Sequence, residues 1–256
     1  MESKNLQTIY VMWLREMKRF LRAKSRVIGT LMLPFFFLFS MGFGFRGSFN
    51  LQGMPQSANY IDFLVPGILG MTMLFTATFA GLSVLWDKEF GFLKEIMVAP
   101  VRRLSIVFGR IAGGITTSFI QGILILIISL FLGFKIPDAL SLFLAFVFML
   151  LIGFGFIGFG IAMASKMEDV HGFSLITQFI IFPTFLLSGA LFPINNLPDW
   201  LRKITYFNPL TYGIDGLRLS LLGFSQFSLF TDLAIICFFD VIMISLASWF
   251  FSQTEI

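Results

Sequence analysis

The sequence has little of the chemistry that enzymes and metal proteins use. It contains one cysteine, Cys237, and one histidine, His171, among 256 residues. A single cysteine excludes an intramolecular disulfide framework and a cysteine-based metal site, and a single histidine cannot form a metal cluster. Cys237 lies in an apolar run, where we expect a small packing residue. We therefore expect no metal and no cofactor bound by this chain.

Nucleotide-binding loops are also missing from the sequence. A phosphate-binding loop needs GxxxxGK[ST], whose backbone N–H groups and lysine hold the phosphates, and no such run occurs. Gly153, Gly155 and Gly158 match the dinucleotide fingerprint, but they lie inside an apolar run without the strand that this motif requires. We expect close helix packing there instead, since Gly158 and Ala162 form a small-xxx-small pair. The chain is not expected to be an enzyme by itself.

Charge is scarce, and apolar residues take its place. Asp, Glu, Lys and Arg make up 12% of the sequence, about half of the roughly 25% usual in soluble domains. Hydrophobic residues make up 57%, with 36 Phe, and the mean hydropathy is +0.90. This composition indicates an integral membrane protein. Six stretches approach or exceed the roughly 20 apolar residues needed to cross a bilayer, and they lie near residues 27–45, 61–86, 104–134, 140–165, 172–192 and 230–251. The third is longer than needed, so we expect it to include a turn outside the hydrocarbon around Arg110.

Lysine and arginine residues near the span ends set the expected orientation. If both termini are cytoplasmic, thirteen of the 18 Lys and Arg residues fall on the cytoplasmic side and five fall outside. We therefore predict a multi-pass protein of the plasma or inner membrane with both termini in the cytoplasm. The sequence shows no linker and no convincing repeat, so residues 1–26 and the six-span bundle of residues 27–256 form a single domain.

The segment before the first span, residues 1–26, has an amphipathic pattern. Apolar residues recur every three or four positions, and basic residues occupy the opposite side. The pattern predicts a helix that lies in the cytoplasmic interface with its basic face toward headgroup phosphates. A nucleic-acid-binding arm is less favoured, and no nucleic-acid partner is expected. The apolar residues are Leu6, Ile9, Tyr10, Trp13, Met17, Phe20 and Leu21, and the basic residues are Arg15, Lys18, Arg19 and Arg22.

The stretch between the fifth and sixth spans is too polar to cross a bilayer and too apolar for a simple solvent loop. Prolines and Asn-containing turns interrupt it, which predicts two short helices over residues 199–207 and 210–222. Irregular backbone at membrane depth needs hydrogen-bond partners from protein or water, so this stretch is expected to line or cap something polar. Asp215 and Arg218 are three residues apart on one helical face, where a pair would hold the short helices together or act as a gate contact. The candidate gate residues are Pro193, Pro198, Asn208, Pro209, Tyr212, Asp215 and Arg218.

The same stretch carries a family resemblance. With Ser188-Gly189 upstream, the run SGALFPINNLPDWL…NPLTYGIDGLR resembles the end of the fifth span in ATP-binding-cassette type-2 permeases, which export drugs, antibiotics, lipids and surface polysaccharides. The resemblance implies an all-α membrane protein with six transmembrane helices, an N-terminal amphipathic interfacial helix, a cytoplasmic coupling helix and short broken helices before the last span. It also implies a separate ATPase subunit that binds ATP and Mg, and a second permease, either identical or a paralogue.

The cytoplasmic connection after the second span, residues 86–103, mixes acidic, basic and apolar residues at helical spacing and stops at a proline. A helix of this kind can rest on lipid or dock into a groove of a soluble partner. In the type-2 permeases the similar segment is the coupling helix that the ATPase contacts. The opening Asp87-Lys88-Glu89 departs from the Arg-rich opening of many relatives. The resemblance assigns the coupling role to Asp87, Glu89, Gly91, Lys94, Glu95 and Pro100.

The substrate class stays open at this level. The Phe-rich, weakly charged interior favours an exported drug, antibiotic or lipid-like molecule, and polysaccharide or glycolipid export is the alternative within the family. Asp240 lies in the sixth span, where a carboxylate is costly and usually faces a bundle interior or cavity. An ion-coupled secondary transporter would need such a residue and is the alternative from another class. An intramembrane enzyme would need a reactive cluster that His171 and Cys237 do not supply.

Overall fold

The computed structural model describes residues 2–45, 59–92, 95–96 and 101–253. These residues form helices and connecting turns, and no strand occurs among them. Ten α-helices have described bounds: α1 (Glu2–Arg22), α2 (Lys24–Gly44), α3 (Tyr60–Glu89), α4 (Arg103–Phe131), α5 (Ala139–Lys166), α6 (Val170–Ile176), α7 (Phe182–Leu186), α8 (Asp199–Tyr206), α9 (Pro209–Leu222) and α10 (Leu229–Ser252). The all-α prediction is confirmed.

Among the described residues, five helices are long and apolar enough to cross a membrane: α2, α3, α4, α5 and α10. The predicted fifth span, residues 172–192, forms a shorter apolar helical segment instead, Val170–Leu186. This segment consists of α6, a π-helical turn at Thr177–Ile181, and α7. The helix ends at Leu186, and the chain then turns at Gly189, which has a left-handed φ of 74° that glycine adopts without a side-chain clash. The fifth predicted span is therefore near the lower length limit for crossing hydrocarbon.

α3 is the central helix of the bundle, with 83% of its most apolar window buried. Close backbone approach to α5 explains this position. A Cβ added to Gly81 would lie 2.3 Å from the carbonyl carbon of Gly160, and one added to Gly160 would lie 2.4 Å from the carbonyl oxygen of Thr78. Gly158 similarly faces α10, where an added Cβ would lie 2.9 Å from Met243. The predicted use of Gly158 in close helix packing is confirmed, and Gly81 is a further contact of this kind.

α1 packs on α4 through two glycines. An added Cβ on Gly109 would lie 2.6 Å from Met12 Cβ, and one on Gly113 would lie 2.7 Å from Glu16 Cβ. Trp13 Nε1 donates a hydrogen bond to Thr116 Oγ1 at 3.0 Å. The predicted helix is confirmed, and Leu6 and Tyr10 on its apolar side are exposed.

Two local predictions were wrong. Arg110 does not lie at a turn outside the core, because α4 continues through it and its side chain is 2% exposed. Cys237 does not pack inside the bundle, since it is exposed on the outer face of α10.

The bundle has two ends that the contacts define. Arg103 donates to the carbonyl oxygen of Ser252, and Lys166 Nζ donates to Gln253 Oε1 at 3.1 Å. These contacts and α1 mark what we call the terminal end. The opposite end, which we call the distal end, carries α8, α9 and the start of α3, where Tyr60 Oη donates to the carbonyl oxygen of Leu191 at 3.0 Å.

Candidate functional site

Asp87, near the last turn of α3, is the centre of a buried cluster at the terminal end. Its carboxylate accepts from Arg110 Nη2 of α4 at 2.6 Å and from Arg19 Nη2 of α1 at 3.4 Å. Arg15 of α1 forms a third hydrogen-bonded ion pair with it. The Asp87 side chain is 3% exposed and that of Arg110 is 2% exposed. This cluster joins α1, α3 and α4 at one point.

The cluster corrects the expected orientation of α1. Arg15 and Arg19 were predicted to face headgroup phosphates, but both reach the Asp87 carboxylate inside the bundle. The physical reason is that a buried carboxylate needs a counter-charge, and Arg offers several donors on one planar group. Lys18 and Arg22 remain on the exposed side of the helix.

The segment that follows Asp87 leaves the bundle at the terminal end. α3 ends at the exposed Glu89, and Gly91 turns the chain with a left-handed φ of 74°. The ring of Phe92 then lies 4.3 Å from the guanidinium carbon of Arg15. Glu95 is helical and exposed. Arg15 therefore contacts both Asp87 and the start of the connection.

The six residues predicted to couple to an ATPase thus fall into three groups. Glu89, Gly91 and Glu95 lie on or near the surface of the terminal end. Asp87 lies beneath that surface within the ion-pair cluster. Lys94 and Pro100 lie outside the described residues.

At the distal end, the two short helices predicted between the fifth and sixth spans are confirmed as α8 and α9. Pro198 precedes α8, and Pro209 is the first residue of α9, where its missing N–H has no helical partner to lose. Asn208 connects them: its Oδ1 accepts from the N–H of Leu210 at 3.0 Å, and its Nδ2 donates to the carbonyl oxygen of Thr184 at 2.6 Å. This asparagine ties the broken helices to α7.

The remaining gate candidates also satisfy backbone groups. Pro193 precedes a short 3₁₀ turn at Ile194–Asn196. Tyr212 Oη donates to the carbonyl oxygen of Tyr206 at 2.8 Å. Burial raises the pKa of Tyr212 above its usual value, with the Asp232 carboxylate as a second cause. The distal end is therefore a compact polar-aromatic cap.

Asp215 and Arg218 do not form the predicted salt bridge. Asp215 instead accepts from the backbone N–H groups of Gln226 and Phe227 at 2.9–3.0 Å. Arg218 Nη2 donates to the carbonyl oxygen of Gly189 at 2.6 Å, and its guanidinium carbon lies 3.9 Å from the Phe63 ring centre. The prediction was wrong because each side chain hydrogen-bonds to backbone groups of another segment, Asp215 to the loop before α10 and Arg218 to the turn at Gly189.

Burial shifts the pKa values of Asp215 and Arg218 in opposite directions. It raises the pKa of Asp215, and the N–H groups of Phe227 and Gln226 partly oppose that rise. It lowers the pKa of Arg218 to about 10, against the attraction of Asp215. Arg218 remains a cation at neutral pH, so its hydrogen bonds to the Gly189 turn are charge-assisted.

Asp240 lies midway along α10 and is 7% exposed. Its Oδ1 has no hydrogen-bond partner within the described structure. Asp232, which no sequence pattern indicated, is 0% exposed, and neither of its carboxyl oxygens has such a partner among the residues described. Asp232 lies in the first turn of the last span, next to a polar loop. In the sequence it therefore resembles an ordinary acidic residue that flanks a span.

A small polar cavity of about 40 Å³ lies inside the bundle near α1. The sequence did not predict this cavity either. Gln121 Oε1 of α4 accepts there from Thr30 Oγ1 at 2.8 Å and from Thr76 Oγ1 at 3.1 Å. Neutral hydrogen-bonding residues of this kind are scattered singly along the spans, so sequence alone gives no signal that they meet.

Apolar spans, a charged cluster at one end and a cap of broken helices at the other define a multi-pass α-helical membrane protein. The ABC-2 type transporter family matches residues 7–222. The chain therefore belongs to this family.

Individual relatives agree with the family match. The chain is 31% identical over 215 residues to ycf38 of Cyanophora paradoxa, described as a transport permease, covering 83% of this chain and 73% of that protein. It is 28% identical over 241 residues to the inner membrane transport permease YadH of Escherichia coli K12, covering 90% and 88%. It is also 28% identical over 158 residues to the probable multidrug ABC transporter permease YbhR of the same strain, covering 61% of this chain and 43% of YbhR.

Proposed function

We propose that this chain is the membrane-spanning permease subunit of an ATP-driven exporter, with the ATPase on a separate chain. The observation that carries the proposal is the Asp87 cluster, which lies beneath the exposed residues Glu89 and Glu95. A partner that pushes on this surface would move α1, α3 and α4 together, because Arg15 contacts both Phe92 and Asp87. ATP and Mg would be held by the partner, and this chain would carry out no hydrolysis.

Transport in this scheme is a shift between two packings of the bundle. The ATPase must contact these packings differently in order to shift their populations. A homodimer or a pair with a paralogue would form the pathway, since a single six-helix unit encloses little room for a bulky substrate. The cap of α8 and α9 would close the exit at the distal end.

The orientation and location follow from the distribution of basic residues. Arg15, Arg103 and Lys166 all lie at the terminal end. The excess of Lys and Arg at this end supports placing it in the cytoplasm, with both termini there. The cell membrane is then the site of action, as the name of YadH states for that relative.

A hydrophobic drug, antibiotic or lipid-like molecule is the substrate class that we favour. The name of YbhR, a probable multidrug permease, supports the drug class. Export of a polysaccharide or glycolipid is the alternative within the family. An ion-coupled mechanism is a second alternative, favoured by the buried Asp240, whose Oδ1 has no hydrogen-bond partner among the described residues.

Copurification tests the proposal. The tagged chain is purified from its native membranes in mild detergent, and the proteins that come with it are identified. We expect a stoichiometric ATPase subunit that is lost from the double variant Glu89→Lys, Glu95→Lys. The control is Glu168→Lys, because Glu168 is an exposed acid in another connection at the same end. A chain that purifies alone and still transports in vesicles without ATP would contradict the proposal.

A further inference from the structure

An apolar groove of about 400 Å³ lies on the side of the bundle between α5, the Val170–Leu186 segment, the α8–α9 junction and α10. We call it the phenylalanine groove, because Phe156, Phe159, Phe179, Phe207 and Phe239 line it. Its volume falls within the roughly 300–1,000 Å³ range of pockets that hold drug-sized ligands. It runs from the middle of the spans to the distal cap.

The local backbone produces this groove. The π-helical turn Thr177–Ile181 interrupts the α-helical repeat of the segment and leaves Phe179 75% exposed. At the far end, Asn208 donates to the carbonyl oxygen of Thr184 and so connects the cap to the Val170–Leu186 segment. π-helical turns inside α-helices are frequent at functional sites.

A buried carboxylate lies directly behind one wall of the groove. Gly155 of α5 has no side chain, and a Cβ there would lie 2.5 Å from both Asp240 Oδ1 and Phe239 Cδ1. Asp240 and Phe239 therefore meet on Gly155, and Phe239 packs against Phe156 with ring centres 5.2 Å apart. No ion pair to Asp240 occurs in the described parts of the chain. The wall itself is apolar, and the acid behind it has no counter-charge among the described residues.

We propose that the phenylalanine groove binds a bulky lipophilic cation, with Asp240 as its counter-charge. The proposal rests on the export function proposed above and names a substrate class for it. Aromatic faces attract cations more strongly where water is excluded, and opposite charges attract more strongly in a medium of low dielectric constant. An anion of the same shape would fill the same volume and lack both attractions. The groove therefore selects by charge as well as by size.

Matched probes test this selectivity. Tetraphenylphosphonium and tetraphenylborate have nearly the same shape and opposite charge. Binding of each is measured by equilibrium dialysis on the purified full chain in phosphatidylcholine nanodiscs, with protein-free nanodiscs as background. We expect saturable binding of the phosphonium, and no saturable binding of the borate. No ATPase subunit is present in this binding experiment. A negative binding result therefore does not bear on the proposed coupling to an ATPase. A negative copurification result likewise does not bear on cation binding by the groove.

Three variants locate the site. Asp240→Asn should weaken phosphonium binding about tenfold or more. Phe207→Ala should weaken it about threefold to tenfold, and its fold is not at risk because Phe207 is 90% exposed. Asp232→Asn is the matched control, since this acid is also buried in α10 but lies eight residues before Asp240, away from the wall that Phe239 forms. If Asp240→Asn does not fold, the effect of Phe207→Ala on phosphonium binding tests the proposal alone. The proposal is overturned if the phosphonium does not bind or if the borate binds equally well. It is also overturned if the folded variants Asp240→Asn and Phe207→Ala bind the phosphonium as the unchanged protein does.

Discussion

Arg110 donates to Asp87 at 2.6 Å between two neighbouring long helices, and both side chains are almost fully buried. A pair in this position differs from the surface ion pairs that contribute little to stability. Arg15 and Arg19 add their charges from α1, so one carboxylate holds three guanidinium groups. The cluster is the main polar link between the N-terminal helix and the spans.

Removal of this carboxylate should loosen the terminal end. We expect Asp87→Asn to lower the free energy of unfolding by about 3–5 kcal/mol, because it leaves the buried Arg110 guanidinium without the carboxylate that it is paired with. Thermal unfolding of the purified chain measures the loss, and limited proteolysis shows whether α1 detaches first. Asp199→Asn is the control, since Asp199 pairs with Arg202 on the surface with a side chain that is 83% exposed. Equal stability of Asp87→Asn and the unchanged protein would show that the cluster does not hold α1.

Arg15 should matter for coupling more than for folding. Its side chain is 24% exposed, and Asp87 keeps Arg110 when Arg15 is replaced. In the complex with the ATPase, we expect Arg15→Gln to retain ATP hydrolysis while transport per ATP falls, because Phe92 loses its contact with the cluster. Parallel assays of phosphate release and transport in vesicles measure the ratio. The exposed Arg22 gives the control Arg22→Gln, for which the ratio should not change.

The contact between α3 and α5 gives a prediction about packing. Gly81→Ala places a methyl group 2.3 Å from a backbone carbon of Gly160, so the two helices must separate. We expect a clear loss of stability and yield, of about 1–3 kcal/mol, as for other overpacked cores. Gly29→Ala in α2 is the control, because the described structure has nothing within 4 Å of its added Cβ. Similar melting temperatures for the two alanine variants would contradict the close approach.

Local signals predicted the distal helices, and long-range contacts explain the errors. Prolines and Asn208 constrain the backbone of the residues next to them in the sequence. The positions of α8 and α9 could therefore be predicted from the sequence. The Arg110 turn was wrong because its partner Asp87 lies 23 residues away and local polarity resembles a turn. The partner of Arg218, Gly189, lies 29 residues away, so spacing along one helix suggested Asp215 instead.

Arg218 should not tolerate lysine. Its planar group donates to the carbonyl oxygen of Gly189 while it stacks on Phe63, and a lysine ammonium reproduces only a point charge. We expect Arg218→Lys to lower the free energy of unfolding by about 1–3 kcal/mol and to loosen the turn at Gly189. Hydrogen–deuterium exchange of residues 186–192 measures the second effect. Arg202→Lys, at a partly exposed arginine of α8, is the control, and unchanged exchange in Arg218→Lys would refute the assigned contact.

Asp240 separates the proposed mechanism from ion coupling. If the exporter is driven by ATP and the phenylalanine groove takes cations, Asp240→Asn should reduce export of lipophilic cations and leave export of uncharged drugs intact. Transport by the variant should still require ATP and resist a protonophore. If the transporter is ion-coupled, the same substitution removes the coupling group, and transport of every substrate is lost because the carboxylate carries the ion. Inside-out vesicles that contain the permease and its ATPase, assayed with and without ATP and protonophore, distinguish the two outcomes. Asp232→Asn, assayed alongside, shows whether any buried acid of α10 gives the same result.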